Sequence, residues 1–200
     1  MKPYRHPRAS LAFSLIELLA VISIMALITT VVSGALGTVS QSTHLTTAAQ
    51  MVSSHLNQTR TFALSRNGIT ELRIFTGADT ASPVRLQIIL TKNDGSVEVL
   101  SRTRILPEGI TIASTTQHSG FLNLPPQTVP GDQPLAGSFY RSIRFGPRGE
   151  PRDATGAALA ASNNFFTLVA ARDYRDGILP ANWISLRIDD RTGAISHFQP

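Results

Sequence analysis

Glu17 is the residue whose type and position most call for a chemical explanation. It is the only charged residue between positions 13 and 59, and it precedes an apolar run that reads LLAVISIMALITTVV from Leu18 to Val32. A carboxylate in the apolar part of a helix costs on the order of 2.5 to 3.5 kcal/mol on insertion scales unless it finds a partner or stays near an interface. Neither a conventional signal peptide nor a plain membrane anchor explains this acid.

Other candidate chemistry is sparse in this sequence. The chain has no cysteine, which excludes disulfides, thiolate metal sites and a cysteine nucleophile. Its five histidines show no metal-ligand spacing, and we expect them to be polar surface residues. We find no G-x-S-x-G motif, no phosphate-binding glycine loop and no paired carboxylates in a context typical of a cleft. We therefore predict that the protein is not an enzyme and binds no cofactor.

The element that carries Glu17 is long enough to cross a membrane. The window 13–36 contains this one charge, and a helix of its length spans roughly 36 Å, against about 30 Å for the hydrocarbon core of a bilayer. Lys2, Arg5 and Arg8 precede the window, and no lysine or arginine follows it before Arg60. This asymmetry predicts a single membrane span with a cytoplasmic N-terminus and an exported C-terminal domain.

The residues around Glu17 form a motif. After a short basic leader the chain reads Ala12-Phe13-Ser14-Leu15-Ile16-Glu17-Leu18-Leu19. This resembles the type IV prepilin signature, in which a dedicated peptidase cuts before a phenylalanine, methylates the new amino terminus and leaves a glutamate at mature position five. The resemblance implies a leader of residues 1–12, cleavage between Ala12 and Phe13, and N-methylation of Phe13. Family members usually have glycine where this chain has Ala12.

The resemblance also implies a partner for Glu17. Cleavage releases an α-amine with a pKa of about 8, which is largely cationic at neutral pH. In a bundle of such helices, the amine of an incoming subunit pairs with the Glu17 of a neighbour and sets the axial register. The implied partners are a prepilin peptidase, other pilin-like subunits, an inner-membrane assembly platform and membrane lipid.

Two weaker candidate sites lie in the C-terminal half. Asp189 and Asp190 form an acidic pair; some pseudopilins hold calcium in C-terminal loops, but Asp-Asp-Arg-Thr-Gly between two alternating stretches is ordinary turn chemistry. A basic cluster near one acid, Glu150, consists of Arg141, Arg144, Arg148 and Arg152. It can contact phosphates or line a solvated loop, and no aromatic residues interleave with it as in a single-strand platform. We favour the turn over a metal and the loop over nucleic acid.

Behind the membrane segment, the sequence predicts an α+β domain. No proline occurs between Arg8 and Pro83, so the helix can continue through residues 37–68 as an amphipathic half. Its apolar stripe consists of Leu45, Ala49, Val52, Leu56, Thr59 and Ala63. The pair Asn67-Gly68, after the basic Arg66, predicts the helix end. Residues 69–200 form the exported β-rich domain.

Alternation with period two predicts a mainly antiparallel sheet in that domain. The predicted strands cover residues 69–75, 84–90, 97–102, 110–113, 142–145, 165–170, 183–188 and 194–198. A proline-containing connection over residues 114–140 is longer than most loops inside compact domains.

A second, looser resemblance concerns the stretch from Leu45 to Phe75. With Ala48-Ala49-Gln50-Met51, Leu56-Asn57 and Arg60 in it, this stretch is similar to the H-type minor pseudopilins of type II secretion systems, and more similar to the D proteins of Verru_Chthon cassettes. Together the resemblances imply a pilin-like fold and a minor pseudopilin of a type II secretion pseudopilus or type IV pilus-like filament. Its location would be the bacterial inner membrane, with the C-terminal domain periplasmic. The alternatives are a DNA-binding minor pilin for DNA uptake and an uncleaved, membrane-anchored envelope protein.

Overall fold

The computed structural model describes residues 14–77, 83–92 and 94–200, and it describes residues 30–40 by their backbone alone. The predicted leader 1–12 and the cleavage site between Ala12 and Phe13 lie outside the described residues. The chain divides into two compact units, Met1–Ser40 and Gln41–Pro200. This division falls inside the predicted amphipathic segment 37–68, a few residues after its start.

One long α-helix, α1, extends over Leu15–Arg66. It ends where Asn67 adopts the left-handed conformation, with φ 47°, and the Gly68 N–H donates to the Ala63 C=O over 3.2 Å. The predicted helix end is therefore confirmed. No helix in the described part of the chain has a stretch long and apolar enough to cross a membrane. The predicted span 13–36 extends past that part, because it includes Phe13 and side chains beyond position 29.

The described strands form two antiparallel sheets. In chain order they are β1 Ile69–Phe75, β2 Arg85–Thr91, β3 Val97–Val99, β4 Arg104–Ile105, β5 Ile110–Ile112, β6 Gln127–Thr128, β7 Phe139–Phe145, β8 Pro151–Arg152, β9 Phe165–Ala170, β10 Trp183–Ile188 and β11 Ile195–Phe198. Sheet A has the order β3-β2-β1-β7-β6, with β4 beside β2 and β8 beside β7, and sheet B has the order β11-β10-β9-β5. The α+β class and the antiparallel strand pairing are thus confirmed.

The inner faces of both sheets and one stripe of α1 share a single core. Register pairs Leu72 of β1 with Ile88 and Ile143 on its two neighbours, and Phe166 of β9 with Leu186 of β10. All five side chains are fully buried. The predicted helix stripe is buried as well, at Leu45, Ala49, Val52, Leu56, Thr59 and Ala63. Hydrophobic burial on this scale holds the second half of α1 to the sheets.

Prediction and structure differ at several strand bounds and at one histidine, and the predicted strand 97–102 ends at Val99. Strand β7 begins at Phe139, three residues before the predicted start, and the short strands β4 and β8 were not predicted. The predicted connection 114–140 contains a 3₁₀ helix, Gly120–Asn123, as well as β6. His55, which we expected at the surface, is 8% exposed, and its Nδ1 lies 2.8 Å from the Met51 carbonyl oxygen. A helix-backbone partner lets this ring enter the core.

Candidate functional site

The first compact unit carries an apolar helical segment with nothing covering it among the described residues. Ten large apolar side chains of this segment are 45 to 82% exposed. They are Leu15, Ile16, Leu18, Leu19, Val21, Ile22, Ile24, Met25, Leu27 and Ile28. At about 100° per residue these positions surround the helix. A helix that is apolar on every side is stable where a core or a membrane covers it.

This apolar surface outweighs the acid at its start. Burying one such side chain contributes about 1.5 to 3 kcal/mol. Because the ten side chains are on average about three-fifths exposed, covering all of them releases on the order of 10 to 20 kcal/mol. Moving the Glu17 carboxylate into an apolar medium costs on the order of 2.5 to 3.5 kcal/mol. Burial of the segment is therefore favoured with the acid present.

The described hydroxyl groups of the segment are satisfied by the helix itself. Ser23 Oγ donates to the Leu19 C=O over 2.8 Å, and Thr29 Oγ1 donates to the Met25 C=O over 2.7 Å. Each bond reaches one turn back, so that the hydroxyl can enter an apolar environment without losing a partner. Among the described residues of this segment, Glu17 is the polar side chain that still needs a partner in an apolar environment.

Ser14 and Glu17 start the helix together. The Glu17 N–H donates to Ser14 Oγ over 3.2 Å, and the N–H groups of Glu17 and Leu18 lie 3.1 and 3.2 Å from the Ser14 carbonyl oxygen. A serine cap followed three residues later by glutamate is the capping-box spacing, and an acid in the first turn also interacts favourably with the helix dipole. Our sequence reasoning missed this cap, although the Ser-x-x-Glu spacing before an apolar run is its signal.

The position of Glu17 suits pairing with another chain. It is the third residue of α1, and four residues separate it from the predicted cleavage site. Its carboxylate forms no ion pair with any residue in the described ranges. A carboxylate held at the start of an apolar helix is available to a cation that a neighbouring helix presents at the same level.

The four predicted basic residues do not form one surface. Alternation along β7 places Arg141 on the core side of sheet A, in line with Ile143, and Arg144 on the opposite face. Arg148 lies in the turn that follows, and Arg152 lies in β8. A phosphate backbone that contacts one of the two β7 arginines cannot contact the other from the same side.

Two of these guanidinium groups are also occupied. Arg141 Nε donates to the Leu124 C=O over 2.9 Å, and burial lowers the pKa of Arg141. Arg152 forms an ion pair with Glu150, with Nη2 and Oε1 2.9 Å apart. Such internal bonds reduce the number of cationic groups that can contact phosphates, because electrostatic binding of a nucleic acid depends on free cations.

Arg144 belongs to a buried ion cluster on the outer face of sheet A. Glu71 is 1% exposed, and its Oε1 and Oε2 lie 3.5 Å from Arg73 Nε and 3.4 Å from Arg144 Nε. Arg73 Nη1 also donates to Gln133 Oε1 over 2.7 Å, and its guanidinium carbon lies 4.6 Å from the centre of the Tyr140 ring. Burial, and then the negative charge of Glu71, raise the pKa of Tyr140. Our sequence reasoning missed this cluster.

Asp189 organises a turn. Its Oδ1 accepts the N–H groups of Arg191 and Thr192 over 3.1 and 2.7 Å and the Thr192 hydroxyl over 2.7 Å. These bonds, led by the backbone bond from Thr192, lower the pKa of Asp189. The neighbouring Asp190 is exposed. Within the described ranges, no group of three or more acidic or histidine side chains is arranged to hold a metal ion. The geometry at this pair is that of a turn.

Comparison with family models, with curated proteins and with solved structures gave no significant match to this chain. The functional conclusion therefore depends on the residues and their geometry.

Proposed function

We propose that this protein is a pilin-like subunit, a minor pseudopilin that a prepilin peptidase processes and that assembles into a type II secretion pseudopilus or a type IV pilus-like filament. The observation that carries the proposal is the uncovered apolar segment of α1 with one acid at its start. Before assembly the bilayer covers this segment, and after assembly the neighbouring helices cover it. The protein would therefore reside in the inner membrane with its C-terminal unit in the periplasm.

The chemistry of Glu17 supports assembly over simple anchoring. A plain anchor gains only about 0.3 to 1 kcal/mol from the interaction of this acid with the helix dipole, less than the roughly 2.5 to 3.5 kcal/mol that the acid costs on insertion. In a helix bundle, the same acid pairs with the amine that cleavage before Phe13 would release, and both charges are then neutralised. The long α1 and the antiparallel sheets behind it agree with the pilin-like fold that we propose as part of this function.

The test compares Glu17→Gln with the unmodified chain in the native host. Glutamine keeps the capping-box spacing, because Glu and Gln both serve at that position, but it removes the charge. We expect the variant to fractionate with membranes as before and to be lost from sheared, purified filaments. Filament incorporation at the unmodified level would contradict the proposal, as would loss from the membrane fraction.

Two further variants separate the charge from the helix cap and from acidity in general. Ser14→Ala removes the cap, which is worth about 0.5 to 2 kcal/mol, but keeps the acid, so we expect incorporation to continue. Glu108→Gln removes an exposed acid in the C-terminal unit and should also assemble. If Ser14→Ala reproduced the Glu17→Gln defect, the role of Glu17 would be local to the helix end and the assembly pairing would be wrong.

A further inference from the structure

The outer face of sheet B carries a groove with aromatic walls. Register places Thr167 of β9 beside Ser185 of β10, and Ser185 beside Phe198 of β11. The two small hydroxyl residues form the floor, while Phe165, Trp183 and Phe198 rise around it. The open groove has a volume of about 510 Å³, which is within the range of roughly 300 to 1,000 Å³ found for ligand sites.

An apolar group can cover the floor of the groove without breaking a hydrogen bond. Thr167 Oγ1 donates to the His118 C=O over 2.6 Å and lies 3.3 Å from Ser185 Oγ. Because these hydroxyls already have partners, an apolar ligand group placed over them leaves no polar atom newly unpaired. Phe198 remains 49% exposed beside them, so the groove offers apolar surface that is still in contact with solvent.

One end of the groove is cationic. Arg187 lies two residues beyond Ser185 on the same face of β10, and its side chain is exposed. It forms no ion pair with any residue in the described ranges. The lining residues include no acid to neutralise it. A ligand that fills the groove therefore gains most when it carries a carboxylate at this end.

The spacing of these features identifies the class of ligand. Two residues of a strand span about 6.7 Å, so Trp183, Ser185 and Arg187 mark a track of roughly 13 Å, the length of about four residues of extended chain. We propose that the groove binds an extended acidic peptide, which places an apolar side chain over Ser185 between Trp183 and Phe198 and a carboxylate two residues further on against Arg187. Side chains two apart in an extended chain point the same way, which matches this arrangement. The proposal does not depend on filament assembly, because the groove uses no residue of the N-terminal segment.

Trp183 makes the groove directly measurable, because it is the one tryptophan of the chain. The full-length protein in detergent micelles is titrated with the peptide acetyl-Ser-Leu-Ser-Glu-Ser-amide while tryptophan fluorescence is recorded. We expect a saturable change, with affinity falling about two- to fivefold when glutamine replaces glutamate in the peptide, as for a solvent-exposed ion pair. Arg187→Gln should lower the affinity for the acidic peptide equally and remove the difference between the two peptides. Arg102→Gln, at an exposed arginine outside the groove, should leave the affinity unchanged.

Four outcomes would overturn the proposal. The first is the absence of a saturable fluorescence change with the acidic peptide, when circular dichroism shows that the protein is folded. The second is equal affinity for the acidic and neutral peptides, and the third is an equal loss in the Arg102→Gln control. The fourth is a fluorescence change that depends on protein concentration without peptide and is removed by Arg187→Gln, because that result assigns the groove to a second copy of this chain.

Discussion

Replacing Glu71 by glutamine tests how much stability is lost when the arginines of the ion cluster on the outer face of sheet A lose their counter-charge. The substitution keeps the size of the side chain and removes its negative charge. Arg73, whose side chain is 4% exposed, then lacks its nearest counter-charge, whereas Arg144, at 27%, keeps some contact with water. The change therefore isolates the effect of leaving one buried cation without its partner.

The expected cost is large relative to the stability of a domain. Removing one partner of a buried ion pair costs about 3 to 5 kcal/mol, and we expect the lower half of that range because water screens Arg144. The total free energy of unfolding of a domain is roughly 5 to 15 kcal/mol. For a chain of this size, a loss of 3 kcal/mol lowers the melting temperature by roughly 6 to 12 °C.

The assay is urea unfolding followed by Trp183 fluorescence, with Glu98→Gln as the matched control. Glu98 pairs with Lys92 over 3.2 Å, but the two side chains are 39 and 49% exposed, so its neutralisation should cost less than about 1 kcal/mol. Equal free energies of unfolding for the two variants would refute the reasoning. They would show that losing the buried Glu71 ion pairs costs no more than losing the exposed Glu98 pair.

Three further predictions concern the C-terminal unit. Gly120→Ala should lower the melting temperature strongly, because its Cβ would lie 1.8 Å from a backbone carbonyl oxygen, whereas Gly131→Ala meets nothing within 4 Å; similar melting temperatures would contradict this. The depressed pKa of Asp189 contributes stability that is present above about pH 4 and lost as the pH falls through the folded-state value. Asp189→Asn should flatten that loss in acid unfolding curves, and an unchanged slope would count against the turn bonds. Because Arg141 and Arg144 lie on opposite faces of β7, neutralising both should not abolish any salt-dependent DNA binding; its abolition would favour the DNA-uptake alternative.

The elements that the sequence predicts best are those with a local signal. Strands Ile69–Phe75, Phe165–Ala170 and Trp183–Ile188 have the predicted bounds, because their β-branched and aromatic residues are bounded by turn residues. The buried stripe of α1 was predictable for the same reason, since helical spacing marks one face. The sequence signal for the helix cap at Ser14 is equally local. It was missed because Glu17 was considered only for its charge.

The features that the sequence did not show depend on contacts between distant segments. The division into two sheets follows from β5 pairing with β9 across more than fifty residues, and no local pattern announces that pairing. In β1, six of the seven residues are buried, so alternation could not mark which face holds Glu71 and Arg73. The basic cluster looked continuous along the chain, but a strand sends neighbouring side chains to opposite faces. The groove on sheet B likewise joins residues from three strands and three loops.

The amino terminus of the protein isolated from native membranes tests the central claim most directly. We predict that mass spectrometry of the intact chain and of its N-terminal peptide finds a protein that begins at N-methylated Phe13, with Glu17 as its fifth residue. A chain that begins at Met1, or at an unmethylated residue after position 33 as conventional signal cleavage would produce, would contradict the account. The first result would leave a tethered protein with no processed amine near its Glu17, and the second would leave a secreted protein that lacks Glu17 altogether.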